Sequence, residues 1–225
     1  MKHDSELKAL DASLRRRFRV IETPVRFPDR TLSISHPASA EDLIDEREFE
    51  RDERLPYWAE LWPSARVLGE HVLHANGGGQ TLLELGCGAG LVATCASLAG
   101  FNVTATDYYE DALAFARVNA WRNGGQPIHT RAVDWRALRA PAKKFDVVIA
   151  SDVLYERPYG PLVAQAIDLF LAPDGYAILA DPGRVAREEF LTDIGTRGFQ
   201  VSATKLPYRD GAVRQTITLY RMQRD

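Results

Sequence analysis

Hydrophobic and polar positions follow two kinds of pattern along this chain, irregular as far as residue 54 and regular beyond it. Residues 5–17 place Leu7, Leu10 and Leu14 at helical spacing among charged side chains, which predicts a short amphipathic helix lying on other structure. Between Phe18 and Ile34 the pattern changes to short alternating runs separated by proline-containing turns, so a loose hairpin is expected. Residues 41–54 mix both charge signs with few apolar positions and read as an exposed helix or a mobile connection. A new helix begins at Trp62-Pro63, because proline suits a first helical position, and it stops at Gly77-Gly78-Gly79.

From there short apolar runs alternate with helical stretches: strands at 81–85, 102–106 and 128–133, helices at 90–99 and 111–121. Residues 145–150 are nearly all apolar, as a strand buried on both faces requires. A helix over 162–171 follows and ends before Pro173-Asp174-Gly175, and 176–180 forms a second buried strand. After a helix over 187–196, the runs 199–204 and 215–220, joined by a loop containing Pro207 and Asp210-Gly211, read as an antiparallel pair. This order predicts an α/β fold with a doubly wound, mostly parallel sheet, a C-terminal hairpin, and an N-terminal helix and hairpin. The expected organisation is an extension over 1–54 and a core domain over 55–225. Ligands on such sheets bind beyond the carboxyl ends of the strands.

Composition narrows the classes. A length of 225 residues with 45% hydrophobic positions suits one core of ordinary size with a covering segment. The 28 Lys and Arg against 31 Asp and Glu give a net charge of −3, so the basic footprint of a protein that grips nucleic acid is missing. Cys87 and Cys95 have no Cys or His neighbours at zinc-ligand spacing, which suggests reduced thiols and neither a disulfide framework nor a metal site. Arg15-Arg16-Arg17 is followed by no apolar signal region, and no apolar run approaches the roughly 18 residues of a membrane span, so a cytoplasmic protein without a membrane partner is expected. His71, His74 and His129 have no evident partners and read as surface residues.

The chemistry concentrates at one turn. The strand 81–85 runs into Gly86-Cys87-Gly88-Ala89-Gly90 and then into a helix. Glycine permits both a sharp turn and close approach of a ligand to bare backbone. Alone, such a turn is a weak signal, because a tight strand-to-helix bend with no ligand also uses glycine. Glu84 at the tip of the first strand and Asp107 at the tip of the second add carboxylates where a nucleoside's ribose hydroxyls would need acceptors. A dinucleotide site wants G-x-G-x-x-G, but the sixth position here is Leu91, which counts against NAD.

Glu84-Leu85-Gly86-Cys87-Gly88-Ala89-Gly90 resembles the E/D-x-G-x-G-x-G turn of the class I, or seven-β-strand, methyltransferases, whose core is a seven-stranded Rossmann-like sheet. The resemblance implies S-adenosylmethionine as cofactor and S-adenosylhomocysteine as product. It places Glu84, Gly86, Cys87, Gly88 and Gly90 around the amino-acid part of the cofactor, Asp107 with Tyr108 at the ribose, Asp134 with Trp135 at the adenine, and Ser151 beside them. Ser151-Asp152-Val153-Leu154-Tyr155-Glu156 is similar to the D/E-x-x-Y/F motif of the family-16 methyltransferases, a group rich in protein-lysine methyltransferases. Pro56-Tyr57-Trp58-Ala59-Glu60-Leu61-Trp62-Pro63 and Asp181-Pro182-Gly183-Arg184 look like segments of the members acting on electron-transfer-flavoprotein β subunits and their bacterial relatives.

That finer resemblance implies a lysine acceptor, with Asp152 and Tyr155 orienting the amine as catalytic residues. The superfamily resemblance covers the chain from about Trp62 onward; residues 1–54 match no motif. Trp62 fits either a core anchor or a cofactor contact, Tyr155 either a strand cap or a substrate contact, and the small size of Cys87 explains its place in the loop better than thiol chemistry. A small-molecule N- or O-methyltransferase is the alternative, with the N-terminal segment as a cover over a metabolite pocket. Asp152-Val153-Leu154-Tyr155 departs from the N/D-P-P-Y/F signature of DNA amino-methylating enzymes, so a nucleic-acid acceptor is not expected.

Overall fold

The structure is a computed structural model that describes residues 2–40, 43 and 56–224; apart from Leu43, the segment read as a charged connection lies outside the described residues. Seven strands form the main sheet: β3 (Thr81–Leu85), β4 (Asn102–Asp107), β5 (His129–Ala132), β6 (Phe145–Ser151), β7 (Leu171–Asp181), β8 (Phe199–Asp210) and β9 (Val213–Arg224). Their order is β5-β4-β3-β6-β7-β9-β8, with β9 antiparallel to both neighbours and the other pairs parallel. Leu82, Leu83, Val147, Val148 and Ile149 are buried because helices cover both faces. On one side α5 (Tyr159–Phe170) and α6 (Arg187–Thr196) bury Val163, Phe170 and Phe190 against Leu83, Leu85 and Val148. On the other, α2 (Pro63–Leu73), α3 (Leu91–Leu98) and α4 (Glu110–Arg122) bury Leu68, Val92 and Leu113 against Leu82, Val103 and Val147. Strand order reverses between β3 and β6, which puts the ligand crevice at the carboxyl ends of those two strands.

Three expected boundaries move. Helix α5 starts at Tyr159 rather than 162, since Pro158 is its N-cap and Pro161 falls in the first turn, where an N–H has no intrahelical partner to lose. Strand β7 starts at Leu171, which pairs with Phe145 before a shift in register to Val147↔Tyr176. Pro173-Asp174-Gly175 is thus an irregularity within one strand and not a break before it. The terminal strands run to Asp210 and from Val213, leaving a loop of Gly211-Ala212 alone, with Pro207 opposite Thr216 inside β8. β8 is the sheet's edge, where proline is tolerated. No helix among the described residues is long and apolar enough to cross a membrane.

The N-terminal elements are α1 (Lys2–Arg17) and an antiparallel pair, β1 (Val20–Arg26) and β2 (Thr31–Pro37). Leu7 and Leu14 of α1 are buried, and its rim is pinned to α4 by Arg117–Glu6 at 2.8 Å, Arg17–Asp111 at 2.7 Å and Arg122–Asp11 at 3.0 Å. These pairs are solvent-accessible and individually weak, so apolar burial holds the helix. Strand β2 docks on α4 through two side-chain amides. Asn119 Oδ1 accepts the Ser35 N–H at 2.8 Å and Nδ2 donates to the Ser35 carbonyl at 2.8 Å; Asn123 repeats the arrangement with Ser33 at 2.9 and 3.0 Å. Four helical residues rise about 6 Å and two strand residues about 6.6 Å, so the spacings coincide. The two amides satisfy peptide groups that another strand would otherwise pair.

Candidate active site

The turn between β3 and α3 has three glycines in left-handed backbone, Gly86 at φ +67°, Gly88 at +51° and Gly90 at +83°. They serve different neighbours. A Cβ on Gly86 would lie 3.1 Å from Val153 Cγ1 and 3.4 Å from Trp135 Cζ2, and one on Gly88 would lie 3.1 Å from the Trp58 carbonyl oxygen. Gly86 and Gly88 line the cavity with bare backbone, whereas Gly90 faces Ala116 of α4 and does not line it. The turn is held from β4: Cys87 N–H donates to the Thr106 carbonyl at 2.9 Å, and Gly88 N–H to Asp107 Oδ2 at 2.9 Å. Asp107 Oδ1 accepts a further bond from the Tyr109 N–H at 3.1 Å. Burial pushes the Asp107 carboxyl up, and the backbone N–H groups of Tyr109 and Gly88 oppose that shift.

Glu84 sits beneath this turn, 1% exposed and not in contact with the cavity. Neither oxygen of its carboxyl group has a hydrogen-bond partner. Burial first, then the charge of Asp107, push it well above the usual carboxylate range. Glu84 is therefore held in its protonated form. Burial likewise pushes the Cys87 thiol well up, reinforced by the charge of Asp107, so this cavity residue offers no thiolate.

The cavity at the carboxyl ends of β3, β4 and β6 has an empty volume of about 1010 Å³, counting its open mouth. Trp62, Asp107, Tyr108, Asp134, Trp135, Ser151, Asp152 and Tyr155 all line it. Asp134 caps the turn Trp135–Ala137, accepting the Arg136 N–H at 2.9 Å and pairing with the Arg136 guanidinium at 2.8 Å. Asp152 is buried in left-handed backbone at φ +58°, a conformation costing a non-glycine residue about 1 kcal/mol. Its N–H donates to the Ala180 carbonyl at 3.0 Å, and its carboxylate accepts from Arg184 Nε at 2.6 Å.

Arg184 was legible only as part of a similar segment, and the structure gives it a place beside the site. The Asp181 carboxylate accepts the N–H groups of Gly183 at 2.7 Å and Arg184 at 3.1 Å, an Asx turn that the sequence Asp-Pro-Gly signals. The Arg184 guanidinium then lies 5.2 Å from the ring centre of Trp62. Two tyrosines absent from the expected set complete this end. Tyr57 packs on Tyr155 at 5.1 Å and on Trp62 at 6.0 Å, and Tyr155 packs on Tyr159 at 5.0 Å. Burial, followed by the neighbouring Tyr159, pushes the Tyr155 hydroxyl above its usual range, so it stays protonated and can orient a partner but not act as a base. Trp62 Nε1 donates to the Tyr57 carbonyl at 3.0 Å, which leaves its ring face for contact.

His36 was likewise missed. Nδ1 lies 2.9 Å from the carbonyls of both Pro37 and Ala59, so it carries the proton; Nε2 then accepts from the Thr23 hydroxyl at 2.8 Å. A buried histidine bonded to loop carbonyls leaves no periodic signal. It ties β2 to the short turn Tyr57–Ala59, whose Trp58 carbonyl rests on Gly88.

A family model described as a methyltransferase domain matches residues 41–215. The chain belongs to that methyltransferase family. Among relatives of this methyltransferase, the ubiquinone biosynthesis O-methyltransferase of Haemophilus ducreyi is 29% identical over 170 residues, 68% of this chain and 70% of that protein. The protein N-lysine methyltransferase METTL21A of Danio rerio is 30% identical over 182 residues, 74% of this chain and 81% of that protein. The N-methyltransferase NodS from Bradyrhizobium japonicum WM9, solved in complex with S-adenosyl-L-homocysteine, superposes with a TM-score of 0.60 at 19% identity, over 82% of this chain and 97% of that one. Relatives that methylate lysines thus stand beside O-methyltransferases, and the family-16 likeness is not singled out. The methyltransferase uses S-adenosylmethionine and yields S-adenosylhomocysteine. Its residues fit that cofactor: a glycine cradle that side chains would fill, acids at or just beyond the tips of β4, β5 and β6, and an open cavity that both line. Among the described residues no group of His, Cys, Asp and Glu is arranged to hold a metal ion.

Proposed function

We propose that this methyltransferase methylates a nitrogen or oxygen of a small molecule held in the aromatic compartment beside Asp152. The observation that carries this reading is the ring packing of Tyr57, Tyr155 and Tyr159, three aromatic side chains in successive contact that line the cavity together with Asp152. The O-methyltransferase and N-methyltransferase named among the relatives and solved structures support it. In this reading Gly86, Cys87 and Gly88 seat the amino-acid part of the cofactor above Glu84. Gly90 acts by packing the turn on α4. Asp107 with Tyr108 takes the ribose, since the two carboxylate oxygens offer about four lone-pair sites and keep acceptor capacity beyond their bonds to backbone N–H groups. Asp134 with Trp135 takes the adenine, and Ser151 and Trp62 flank the reacting end.

Bound S-adenosylmethionine supplies a sulfonium methyl ready for displacement, so the chain's own work is to align the acceptor and exclude water. Asp152, fixed by Arg184, accepts a hydrogen bond from the acceptor and holds its lone pair in line. Tyr155 orients the acceptor as a neutral hydroxyl. A protein lysine is the second reading, supported by the relative named as an N-lysine methyltransferase and by the spacing of Asp152 and Tyr155.

The test is transfer of labelled methyl groups to a metabolite extract and to a proteome in parallel. Label is expected in low-molecular-weight products, falling on the order of a hundredfold in Asp152→Asn and in Tyr155→Phe if both align the acceptor. Label confined to protein lysines would overturn the small-molecule reading. Full transfer rates in both variants would remove Asp152 and Tyr155 from the mechanism.

A further inference from the structure

We propose that Asn119 is a positioning residue for cofactor binding, through which the seating of the N-terminal hairpin sets the shape of the glycine turn. The inference rests on the proposed assignment of that turn to the cofactor. Asn119 is completely buried, and its amide is fully committed: Oδ1 accepts from Ser35, while Nδ2 donates both to Ser35 and to the carbonyl of Ala89, each at 2.8 Å. Ala89 stands between Gly88 and Gly90, both in left-handed backbone. The N–H of the same peptide plane, that of Gly90, donates to the Cys87 carbonyl at 2.9 Å. The plane is rigid and trans, so bonds at its two ends fix its tilt. The inner side of the turn is held by β4, through Thr106 and Asp107. Asn119 holds the outer side.

A second path runs from the next residue of β2. His36 bonds the Ala59 carbonyl, and the adjacent Trp58 carbonyl packs on Gly88. Ser35 and His36 therefore brace neighbouring peptides of one turn. Asn123 supplies a built-in comparison: it docks Ser33 with the same pair of bonds, and its remaining bond runs to the Asn119 carbonyl, so it does not touch the turn.

Titration calorimetry with S-adenosylhomocysteine on the full chain tests the proposal, comparing wild type with Asn119→Ala, Asn119→Asp and Asn123→Ala. The aspartate variant keeps the volume and the acceptor for Ser35 but loses both donors, and it serves if the alanine variant fails to fold. Affinity is expected to fall about tenfold in the Asn119 variants, the effect of one lost buried hydrogen bond, and to stay within about twofold in Asn123→Ala. Hydrogen exchange of the amides at 86–90 is expected to quicken only in the Asn119 variants. Wild-type affinity in the Asn119 variants, or an equal loss in Asn123→Ala, would overturn the role of Asn119. A wild-type chain that does not bind S-adenosylhomocysteine would overturn the assignment of the turn and the proposal with it.

Discussion

Replacing Gly90 by alanine separates helix packing from ligand contact. The new Cβ would stand 2.5 Å from both Cα and Cβ of Ala116. Carbon atoms pack at about 3.5–4.0 Å, so α4 would have to retreat by about 1 Å from the turn. Such overpacking costs about 1–3 kcal/mol. The backbone at φ +83° adds about 1 kcal/mol for a residue with a side chain. A loss of about 2–4 kcal/mol is expected, a large share of the roughly 5–15 kcal/mol that stabilises an ordinary domain. Guanidinium unfolding should show a lower midpoint at unchanged slope. Gly86→Ala is the companion. Its Cβ meets Val153 and Trp135 in the cavity wall at 3.1 and 3.4 Å, so affinity for S-adenosylhomocysteine should fall with a smaller loss of stability. A Gly90→Ala protein that unfolds at the wild-type midpoint would refute the packing account.

Two buried groups give opposite dependences on pH. The folded-state pKa of Glu84 is raised above the ordinary 4.5, so its contribution to stability is complete below that value and is lost as pH rises towards the raised one. Glu84→Gln should therefore gain stability over wild type progressively from pH 5 to pH 8; a difference that does not vary with pH, measured by thermal unfolding of the ligand-free chain, would contradict this. His36 is lowered from 6.5, mainly by burial, so its contribution is present above that value and is lost as pH falls through the depressed one. In urea titrations at pH 7.5 and 5.5, wild type should lose more stability on acidification than His36→Asn, which keeps a donor for the Ala59 carbonyl. Equal losses would show that His36 does not titrate with folding.

The parts of the molecule that declare themselves in the sequence are those governed by local periodicity. Strands β3 and β6 are largely buried and mainly apolar, and the acids near their carboxyl ends, Glu84 and Asp152, stand out against that background. Asp152 could be placed for this reason and Asp107 by the strand that it ends, whereas Asp134 follows the polar, mostly exposed β5 and was placed only by the resemblance. Glu84 and Gly90 were read alike as cofactor contacts, yet one lies beneath the turn and the other against a helix; spacing along the chain does not record which way a residue faces once the turn closes. His36 and Asn119 escaped notice, and Arg184 was given no role beyond its segment, because each is a polar residue defined by a distant partner: Ala59, Ser35 and Asp152 respectively. Pro207 was misread for the complementary reason. Its cost depends on whether the strand is central or at an edge, and that is decided by the order of strands and not by the run containing it.

The coincidence of spacing between α4 and β2 constrains how the length of this chain can change. Asn119 and Asn123 meet Ser35 and Ser33 as two pins meet two sockets, and the fit holds at a single offset. One residue inserted between the two asparagines would swing one of them by about 100° around the helix. One residue of slip in β2 would turn the paired peptide groups towards the opposite edge. The insertion would disconnect one amide and the slip both, so insertions and deletions near this joint should be borne by the turn between β1 and β2, at 27–30, where the two strands can be rejoined without moving either pin.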